Sequence, residues 1–151
     1  MPDSRLNLLL AYGGWRDDTF ASQLPPVLEP LGVRCVAART ACEADRVLRR
    51  DPVHIAVVDL AIPVDDSAEH AGPAGRRVLE LLRRLEQPPP TVVVRPRQPS
   101  LRDHRRGLVD ALEQGAFAVL DRPFPLESML SVLRSVLQRH YGDRWPGGPA
   151  A

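Results

Sequence analysis

Charged residues stand at the ends of several short apolar segments of the sequence, where their side chains could form one site. Asp59 lies near the end of the segment VHIAVVDL, Arg95 follows a run of valines, and Asp121 and Arg122 follow the segment AFAVL. If Arg95 and Arg122 both reach Asp59, they hold its carboxylate ionised and already paired. The two arginines could instead bind a free anion such as sulfate or phosphate, and Asp59 could simply cap the turn after its strand. The pattern indicates a charged site built on one acid and two arginines.

These residues can meet only if the segments before them are strands of one sheet. Five short apolar runs have the length and composition of strands. Between them apolar residues recur at helical spacing, and Asp17, Asp18 and Thr40 stand where helix caps belong. Pro25 and Pro26 predict a kink or a split in the first helix. The predicted strands are residues 6–12, 34–38, 53–60, 91–94 and 117–120, and the predicted helices lie near residues 17–31, 40–50, 75–87, 101–114 and 126–140.

The alternation of five strands with five helices predicts a doubly wound α/β domain. Strands that are continuously apolar are typical of a parallel sheet covered on both faces. Right-handed crossovers then give a (βα)5, flavodoxin-like fold with a central five-stranded sheet, and any site lies beyond the carboxyl ends of the strands. The length of 151 residues fits one such domain at residues 1–140, followed by a flexible tail at residues 141–151.

Composition narrows the classes of function. The 20 basic residues, all of them arginine, nearly balance 19 acidic ones, so a net charge of +1 attracts neither nucleic acid nor an anionic membrane. No apolar stretch approaches the roughly 20 residues that span a bilayer, and the first residues lack the apolar core of a signal peptide. Cys35 and Cys42 are too few for a disulfide framework or a zinc site. We therefore expect a cytoplasmic protein with no membrane or nucleic-acid partner.

Two segments resemble motifs of the bacterial response-regulator receiver domain, the CheY-like family. Residues 57–63 (VVDLAIP) are similar to its phosphoacceptor segment. Residues 115–124 (GAFAVLDRPF) are similar to its fifth-strand segment, which normally ends in Lys-Pro-Phe. The two motifs stand in the family's order, and the resemblance extends over residues 6–140. It implies the same fold and a role in two-component, or phosphorelay, signal transduction.

The resemblance assigns a role to residues at the strand ends. Asp59 matches the phosphoacceptor, and Arg122 matches the lysine that pairs first with this aspartate and then with its phosphoryl group. Arg95 stands where the family has the Thr or Ser that hydrogen-bonds the phosphoryl group. Val119 stands at the switch position, where the family has an aromatic side chain that turns inward on activation. The sequence thus keeps the acid and a basic partner but replaces both switch residues.

The metal-binding part of the family's site is missing from the matching positions. In the family, two adjacent acids after the first strand hold Mg²⁺ together with the phosphoacceptor, whereas here Tyr12 and Gly13 match them. Asp17 and Asp18 come too late in the chain and are expected to be helix caps. Because Mg²⁺ prefers a cage of carboxylate and water oxygens, Asp59 alone should bind it weakly or not at all. We expect no cofactor.

Other motifs give little indication of a nucleotide, metal or catalytic site. Residues 12–14 (YGG) follow the first strand but lack the spacing of a nucleotide-binding loop. The four histidines have no metal or triad spacing, and no serine lies in a GxSxG elbow. We therefore expect a protein that is not an enzyme. A small α/β enzyme or an anion-binding protein that uses the same strand ends is the alternative from another class.

The loop after Asp59, at residues 63–75, is longer than the family's. Ser67 stands at the position of a family glycine, and Gly75 is a second candidate for that place. The loop could cover Asp59 or be disordered.

The fourth helix and the loop before it carry a cluster of basic residues. Such a cluster is most often a solvated helix face, but in the receiver family the fourth helix, fifth strand and fifth helix form the output and dimer face. We therefore expect a protein partner, such as a histidine kinase or another signalling protein, or a homodimer. A phosphorylation-independent interaction module is the first interpretation, and a working phosphoacceptor at Asp59 is the second. The basic residues are Arg95, Arg97, Arg102, Arg105 and Arg106.

Overall fold

The computed structural model describes residues 6–13, 20–67, 73–96, 100–113 and 115–142. Within this part of the chain, no helix has both the length and the hydropathy that a membrane crossing requires. Some residues named above lie outside it, so their predicted roles are not addressed by the structure. These are Asp17, Asp18, Gly14, Arg97, the middle of the loop at 68–72, and residues 143–151.

Strands and helices alternate along the chain as predicted. A 3₁₀ turn (Glu29–Leu31) follows the first helix, and a π-helical turn (Leu137–Tyr141) extends the last one. The strands are β1 (Leu6–Ala11), β2 (Val33–Ala38), β3 (Ile55–Asp59), β4 (Thr91–Arg95) and β5 (Ala118–Asp121), and the helices are α1 (Phe20–Leu28), α2 (Ala41–Arg50), α3 (Gly75–Arg83), α4 (Leu101–Glu113) and α5 (Leu126–Val136).

The five strands form one parallel sheet in the order β2-β1-β3-β4-β5. This order reverses at β1, which makes the domain doubly wound and confirms the predicted fold class. The register sets Asp59 beside Val94 and Arg95 beside Asp121. The carboxyl ends of β3, β4 and β5 therefore meet at one edge of the sheet, where the charged residues were expected to meet.

Helices cover both faces of the sheet, each over its own apolar cluster. On one face α1 and α5 pack over a cluster that includes Val57 and Met129. On the other face α2 and α3 pack over a cluster that includes Val58 and Leu79. Helix α4 adds little to either cluster, because Ala111 is its one buried residue. Apolar burial therefore holds α4 less firmly than the other helices.

The Pro25-Pro26 pair does not split the first helix, so of the predicted kink or split the split is wrong. Helix α1 runs through both prolines, whose fixed φ is close to the helical value. The helix ends soon afterwards, at Leu28. The 3₁₀ turn that follows closes at Gly32, whose φ of 90° is a left-handed conformation that favours glycine.

The ends of the other helices follow local chemistry. Thr40 caps α2 as predicted, since its Oγ1 accepts a hydrogen bond from the Glu43 N–H at 3.1 Å. Helix α3 ends at Arg83, earlier than expected, and the Arg84 N–H that closes it donates to the carbonyl of Glu80. After α5, at the predicted start of the tail, the hydroxyl of Tyr141 donates a hydrogen bond to the His54 carbonyl.

The loop after β3 is tied to its neighbours at both ends. The carbonyl groups of Pro63 and Val64 accept hydrogen bonds from the first two N–H groups of α2. Pro63 also faces Pro73 in an antiparallel bridge that closes the base of the loop. Gly75 then begins α3 so close to β3 that a Cβ on it would lie 2.3 Å from the Cα of Leu60. Of the two candidates for the family's glycine, Gly75 is the one whose surroundings require it.

Candidate functional site

Asp59 lies buried at the carboxyl end of β3, with 1% of its surface exposed. Its Oδ1 accepts a hydrogen bond from the Ala61 N–H at 3.0 Å, and its Oδ2 accepts one from Arg122 Nη2 at 2.8 Å. Asp59 thus caps the turn after its strand and pairs with Arg122 at the same time. Both oxygens of the carboxylate are engaged from within the chain.

Tyr12 forms the other side of this pair. The ring of Tyr12 is fully buried at the end of β1, and the Arg122 guanidinium carbon lies 4.7 Å from its centroid. A cation over an aromatic face is attracted by the negative face of the ring. Arg122 is therefore held from two directions, by the Asp59 carboxylate and by the Tyr12 ring.

Gly13 follows Tyr12 and packs against the loop after β3. A Cβ on Gly13 would lie 2.8 Å from Cδ of Pro63, a contact that real Cβ atoms essentially never make. Pro63 has little freedom to retreat, because its carbonyl accepts the Ala41 N–H and its backbone bridges Pro73. Position 13 is therefore closed to the acid that the receiver family places there.

The residues at this edge do not fit the magnesium ion that the receiver fold implies. Among the described residues, no group of three or more His, Cys, Asp or Glu side chains could hold a metal ion. Mg²⁺ requires octahedral oxygen ligands and usually one or two carboxylates. Among the described residues Asp59 is the one carboxylate at the position, and its oxygens already have partners. An aromatic ring and a closed glycine stand where further acids would be.

Arg95 does not reach Asp59, and this corrects the expectation that two arginines converge on that acid. Its guanidinium instead forms a two-pronged pair with Asp121: Nε donates to Oδ1 at 2.6 Å and Nη2 donates to Oδ2 at 2.9 Å. Arg95 is also buried, with 2% of its surface exposed, so it is not part of the exposed basic cluster. Its partner is a carboxylate, as predicted, but a different one.

The alternation of side chains along a strand explains the correction. Successive residues of a strand face opposite sides of the sheet. Asp59 has the orientation of Val57, under α1 and α5, whereas Arg95 has the orientation of Val93, under α2 and α3. Arg122 comes one residue after Asp121 and therefore returns to the face of Asp59. The sheet itself separates the two arginines.

His104 on α4 completes the Arg95–Asp121 pair. Its Nδ1 lies 2.7 Å from Asp121 Oδ2, and its carbonyl oxygen accepts a hydrogen bond from Arg95 Nη1 at 3.3 Å. Burial alone raises the pKa of Asp121, but the hydrogen bonds and charges of Arg95 and His104 outweigh it and leave that pKa below its ordinary value of 3.8. We call Arg95, Asp121 and His104 the α4 anchor, because they join β4 and β5 to the helix.

Gly107 makes room for this anchor. A Cβ on Gly107 would lie 2.3 Å from Arg95 Nη1. Glycine inside a helix destabilises it by roughly 1 kcal/mol relative to alanine, so its position here in α4 has a structural reason. The guanidinium of Arg95 occupies the space that a side chain would fill.

The remaining predicted residues lie on the face of the sheet covered by α2 and α3, or at the protein surface. Val119, at the switch position, is partly buried and packs against the cluster under α2 and α3. Arg102, Arg105 and Arg106 are exposed on α4 as expected. Apolar side chains lie among them, since Leu101 is 77%, Val109 53% and Leu112 46% exposed.

Sequence reasoning missed His104, Gly107 and the structural role of Asp121. Counting strand positions from Val94 would have put Arg95 and Asp121 on the face opposite Asp59, so a usable signal was present for that pair. No sequence pattern placed His104 beside them, because that contact depends on the position of α4.

Several solved receiver domains have the same fold as this chain, although no protein-family model matches it. The Francisella response regulator 1452 receiver domain is 18% identical, with a TM-score of 0.68 over 89% of this chain and 98% of that one. A CheY-like receiver domain protein from Methanospirillum hungatei is 19% identical, with a TM-score of 0.68 over 92% and 98%. The non-phosphorylated HemR receiver domain from Leptospira biflexa is 24% identical, with a TM-score of 0.66 over 88% and 94%. The chain has the receiver fold, and the resemblance seen in the sequence is confirmed at that level.

Proposed function

We propose that this chain is a receiver-like domain of bacterial two-component signalling that acts, in the cytoplasm, as a phosphorylation-independent interaction module. It works through the surface of α4, β5 and α5 rather than as an enzyme. The observation that carries the proposal is the state of Asp59, whose two carboxylate oxygens are engaged by Ala61 and Arg122.

Charge at the Asp59 site supports this proposal. Transfer of a phosphoryl group to a carboxylate brings several negative oxygens together, and such reactions depend on cations that neutralise this charge. The described residues provide Arg122 for that purpose and do not fit Mg²⁺. Arg122 already balances Asp59 in the resting protein, so among the described residues the further negative charge that a phosphoryl group adds would have no cation of its own.

The replaced switch residues support it further. At the position of the family's hydroxyl residue, Arg95 is held by Asp121 and by the carbonyl of His104. At the aromatic position, Val119 has no ring that could turn. With these residues α4 has one anchored position, and the surface that it presents does not depend on events at Asp59.

The exposed surface indicates the chemistry of a partner. Arg102, Arg105 and Arg106 lie among exposed apolar side chains of the same helix. Arginine next to apolar surface is characteristic of protein interfaces, and the positive charge favours an acidic partner. A histidine kinase, another signalling protein or a second copy of the chain fits this description. Nucleic acid does not, since the net charge is +1.

Phosphorylation is tested directly by incubating the protein with acetyl phosphate and Mg²⁺ and measuring intact mass. We expect no adduct at times that fully modify an ordinary receiver domain run in parallel. A stoichiometric phosphoryl adduct that is lost in Asp59→Asn would instead establish a working phosphoacceptor, the alternative function.

The interaction surface is tested with two variants of equal charge change. Arg102, Arg105 and Arg106 are replaced by Gln in one protein, and in the control three arginines of α2 are replaced in the same way. Binding to signalling proteins encoded by neighbouring genes is measured by biolayer interferometry, and self-association by sedimentation. We expect only the α4 variant to lose at least tenfold in affinity. Equal binding by both variants would reject this surface. The control replaces Arg46, Arg49 and Arg50.

A further inference from the structure

A cleft of about 620 Å³ lies between α3 and α4, on the face of the sheet away from Asp59. Leu60, Leu79 and Ala111 supply its apolar lining, and Arg95 and Gly107 line it where α4 crosses the end of β4. Small-molecule sites typically measure roughly 300–1,000 Å³ and are mostly apolar with a few placed polar groups. The cleft has this size and this composition.

The cleft exists because α4 stands off from its neighbour. The apolar cluster on this face contains residues of α2 and α3 but none of α4. Leu79 and Ala111, which both line the cleft, also line a second cavity of about 270 Å³ whose lining includes Thr91 and Gly115. The two cavities therefore follow the gap between α3 and α4 from the carboxyl ends of the strands toward their amino ends.

Two arginines and one acid are the charged groups of the cleft among the described residues. At the rim, Arg76 of α3 and Asp110 of α4 form an ion pair of 3.6 Å whose side chains are 76% and 53% exposed. Such exposed pairs contribute little, so either member exchanges partners easily. Deeper in, Arg95 Nη1 has a long hydrogen bond of 3.3 Å to the carbonyl of His104 and lies against Gly107.

We propose that this cleft binds a small organic anion with an apolar body. The body lies on Leu60, Leu79 and Ala111, and its anionic group takes Arg76 from Asp110, which then returns to water. An anion is favoured over a cation because two guanidinium groups, those of Arg76 and Arg95, line the cleft, whereas Asp121, the acid that pairs with Arg95, does not. The proposal does not depend on whether Asp59 accepts a phosphoryl group.

Binding here would act on the α4 anchor. Arg95 lines the cleft and also holds α4 through Asp121 and His104. A ligand that contacts the guanidinium changes the environment of the bonds that fix α4, and with it the exposed surface of that helix. The cleft is therefore placed to couple a small molecule to the surface proposed for partner binding.

The test uses two fluorescent probes with the same skeleton. Anilinonaphthalene sulfonate carries an anionic group, and N-phenyl-1-naphthylamine is its neutral counterpart. We expect saturable, one-to-one binding of both, with the anionic probe binding more tightly. Arg76→Met should weaken the anionic probe roughly three- to tenfold, the effect of one charged contact at a partly exposed rim, and leave the neutral probe within about twofold. Arg77→Met, an exposed arginine of the same helix outside the cleft, should change neither.

The position of the probes is tested by filling the cleft. Ala111→Phe should abolish binding of both probes, with Ala111→Leu as the milder variant if the larger ring impairs folding, as judged by cooperative thermal unfolding. In NMR the Arg95 Nε–H signal should shift along the titration in the natural protein. Probe binding that survives these substitutions, equal sensitivity of Arg76→Met and Arg77→Met, or absence of saturable binding would each overturn the proposal.

Discussion

Two arginine–aspartate pairs lie at the same edge of the sheet, on opposite faces, and they are near mirror images in burial. In one the acid is buried and the base is partly open: the Asp59 side chain is 2% exposed and that of Arg122 is 26% exposed. In the other the base is buried and the acid is partly open, at 3% for Arg95 and 24% for Asp121. The Asp59–Arg122 pair joins the turn after β3 to the Tyr12 ring, whereas the Arg95–Asp121 pair holds α4.

This difference decides what each pair can tolerate. A buried carboxyl group that loses its partner can bind a proton and become neutral, whereas a guanidinium cannot lose one in the physiological range. Asp59 can therefore become neutral when its partner is removed, whereas Arg95 cannot. The pair in which the arginine is buried should be the more sensitive to loss of its partner, although it is the pair with no counterpart in the phosphoacceptor motif.

The largest effect is expected from Asp121→Ala, which leaves Arg95 buried without its acid. Breaking a buried pair by removing one partner destabilises a protein by about 3–5 kcal/mol, and we expect a loss of about 3 kcal/mol in the free energy of unfolding, measured with urea. Asp45→Ala, which removes an exposed pair with Arg49, should cost below about 1 kcal/mol. Equal losses in the free energy of unfolding would mean that the α4 anchor stabilises the protein no more than an exposed ion pair does.

The next effect is expected from Arg122→Met, which leaves the Asp59 carboxylate buried. At pH 7 we expect a loss of about 2–3 kcal/mol. Adding Asp59→Asn to Arg122→Met should recover most of the stability at pH 7. A loss that Asp59→Asn does not recover would contradict the asymmetry between the pairs.

A smaller effect, with a sign that depends on Arg95, is expected from Gly107→Ala. Replacing a glycine inside a helix by alanine normally stabilises by roughly 1 kcal/mol. Here the new Cβ meets Arg95 Nη1, so the substitution should destabilise the natural protein by about 1 kcal/mol or more. In an Arg95→Met background the same substitution should stabilise. Thermal unfolding of the four proteins measures the sign, and stabilisation in both backgrounds would show that Arg95 does not occupy this space.

The smallest effect is a pH dependence that arises away from both pairs. Burial lowers the pKa of His54, whose Nδ1 accepts the Asn7 N–H at 2.9 Å. As pH falls below 6.5 the unfolded chain binds a proton that the folded chain refuses, so stability should decline until the lowered folded pKa is reached. We expect a loss below about 1 kcal/mol between pH 7 and 5, absent in His54→Asn.

The stabilising effect of the depressed pKa of Asp121 behaves differently. It is present above 3.8, the ordinary pKa of the group, and is lost only as pH falls below that value toward the folded pKa. A decline between pH 7 and 5 therefore cannot come from Asp121, and one that survives His54→Asn would contradict the assignment to His54.

The sequence predicted the fold and the Asp59–Arg122 pair well, because both depend on local patterns. Continuous apolar strands, the Thr40 cap and the acid at the end of β3 each act within a few residues of the chain. The prediction for Arg95 failed for another reason. Arg95 and Asp59 lie at the same edge of the sheet but on opposite faces, and only the alternation of side chains along a strand distinguishes the two faces. The contact with His104 and the cleft beside α4 depend on how far that helix stands from α3. That distance follows from side-chain packing, which spacing along the chain does not report.

The most direct measurement asks whether a divalent cation enters the Asp59 site at all. Mn²⁺ accepts the oxygen ligands that Mg²⁺ accepts and broadens NMR signals near the place where it binds. In a titration to millimolar Mn²⁺ the Ala61 amide, which donates to Asp59, should broaden no more than it does in Asp59→Asn, because Arg122 and Tyr12 occupy the cation's surroundings. Saturable, selective broadening of Ala61 at sub-millimolar Mn²⁺ that excess Mg²⁺ reverses and Asp59→Asn removes would show that a metal, not Arg122, balances this carboxylate.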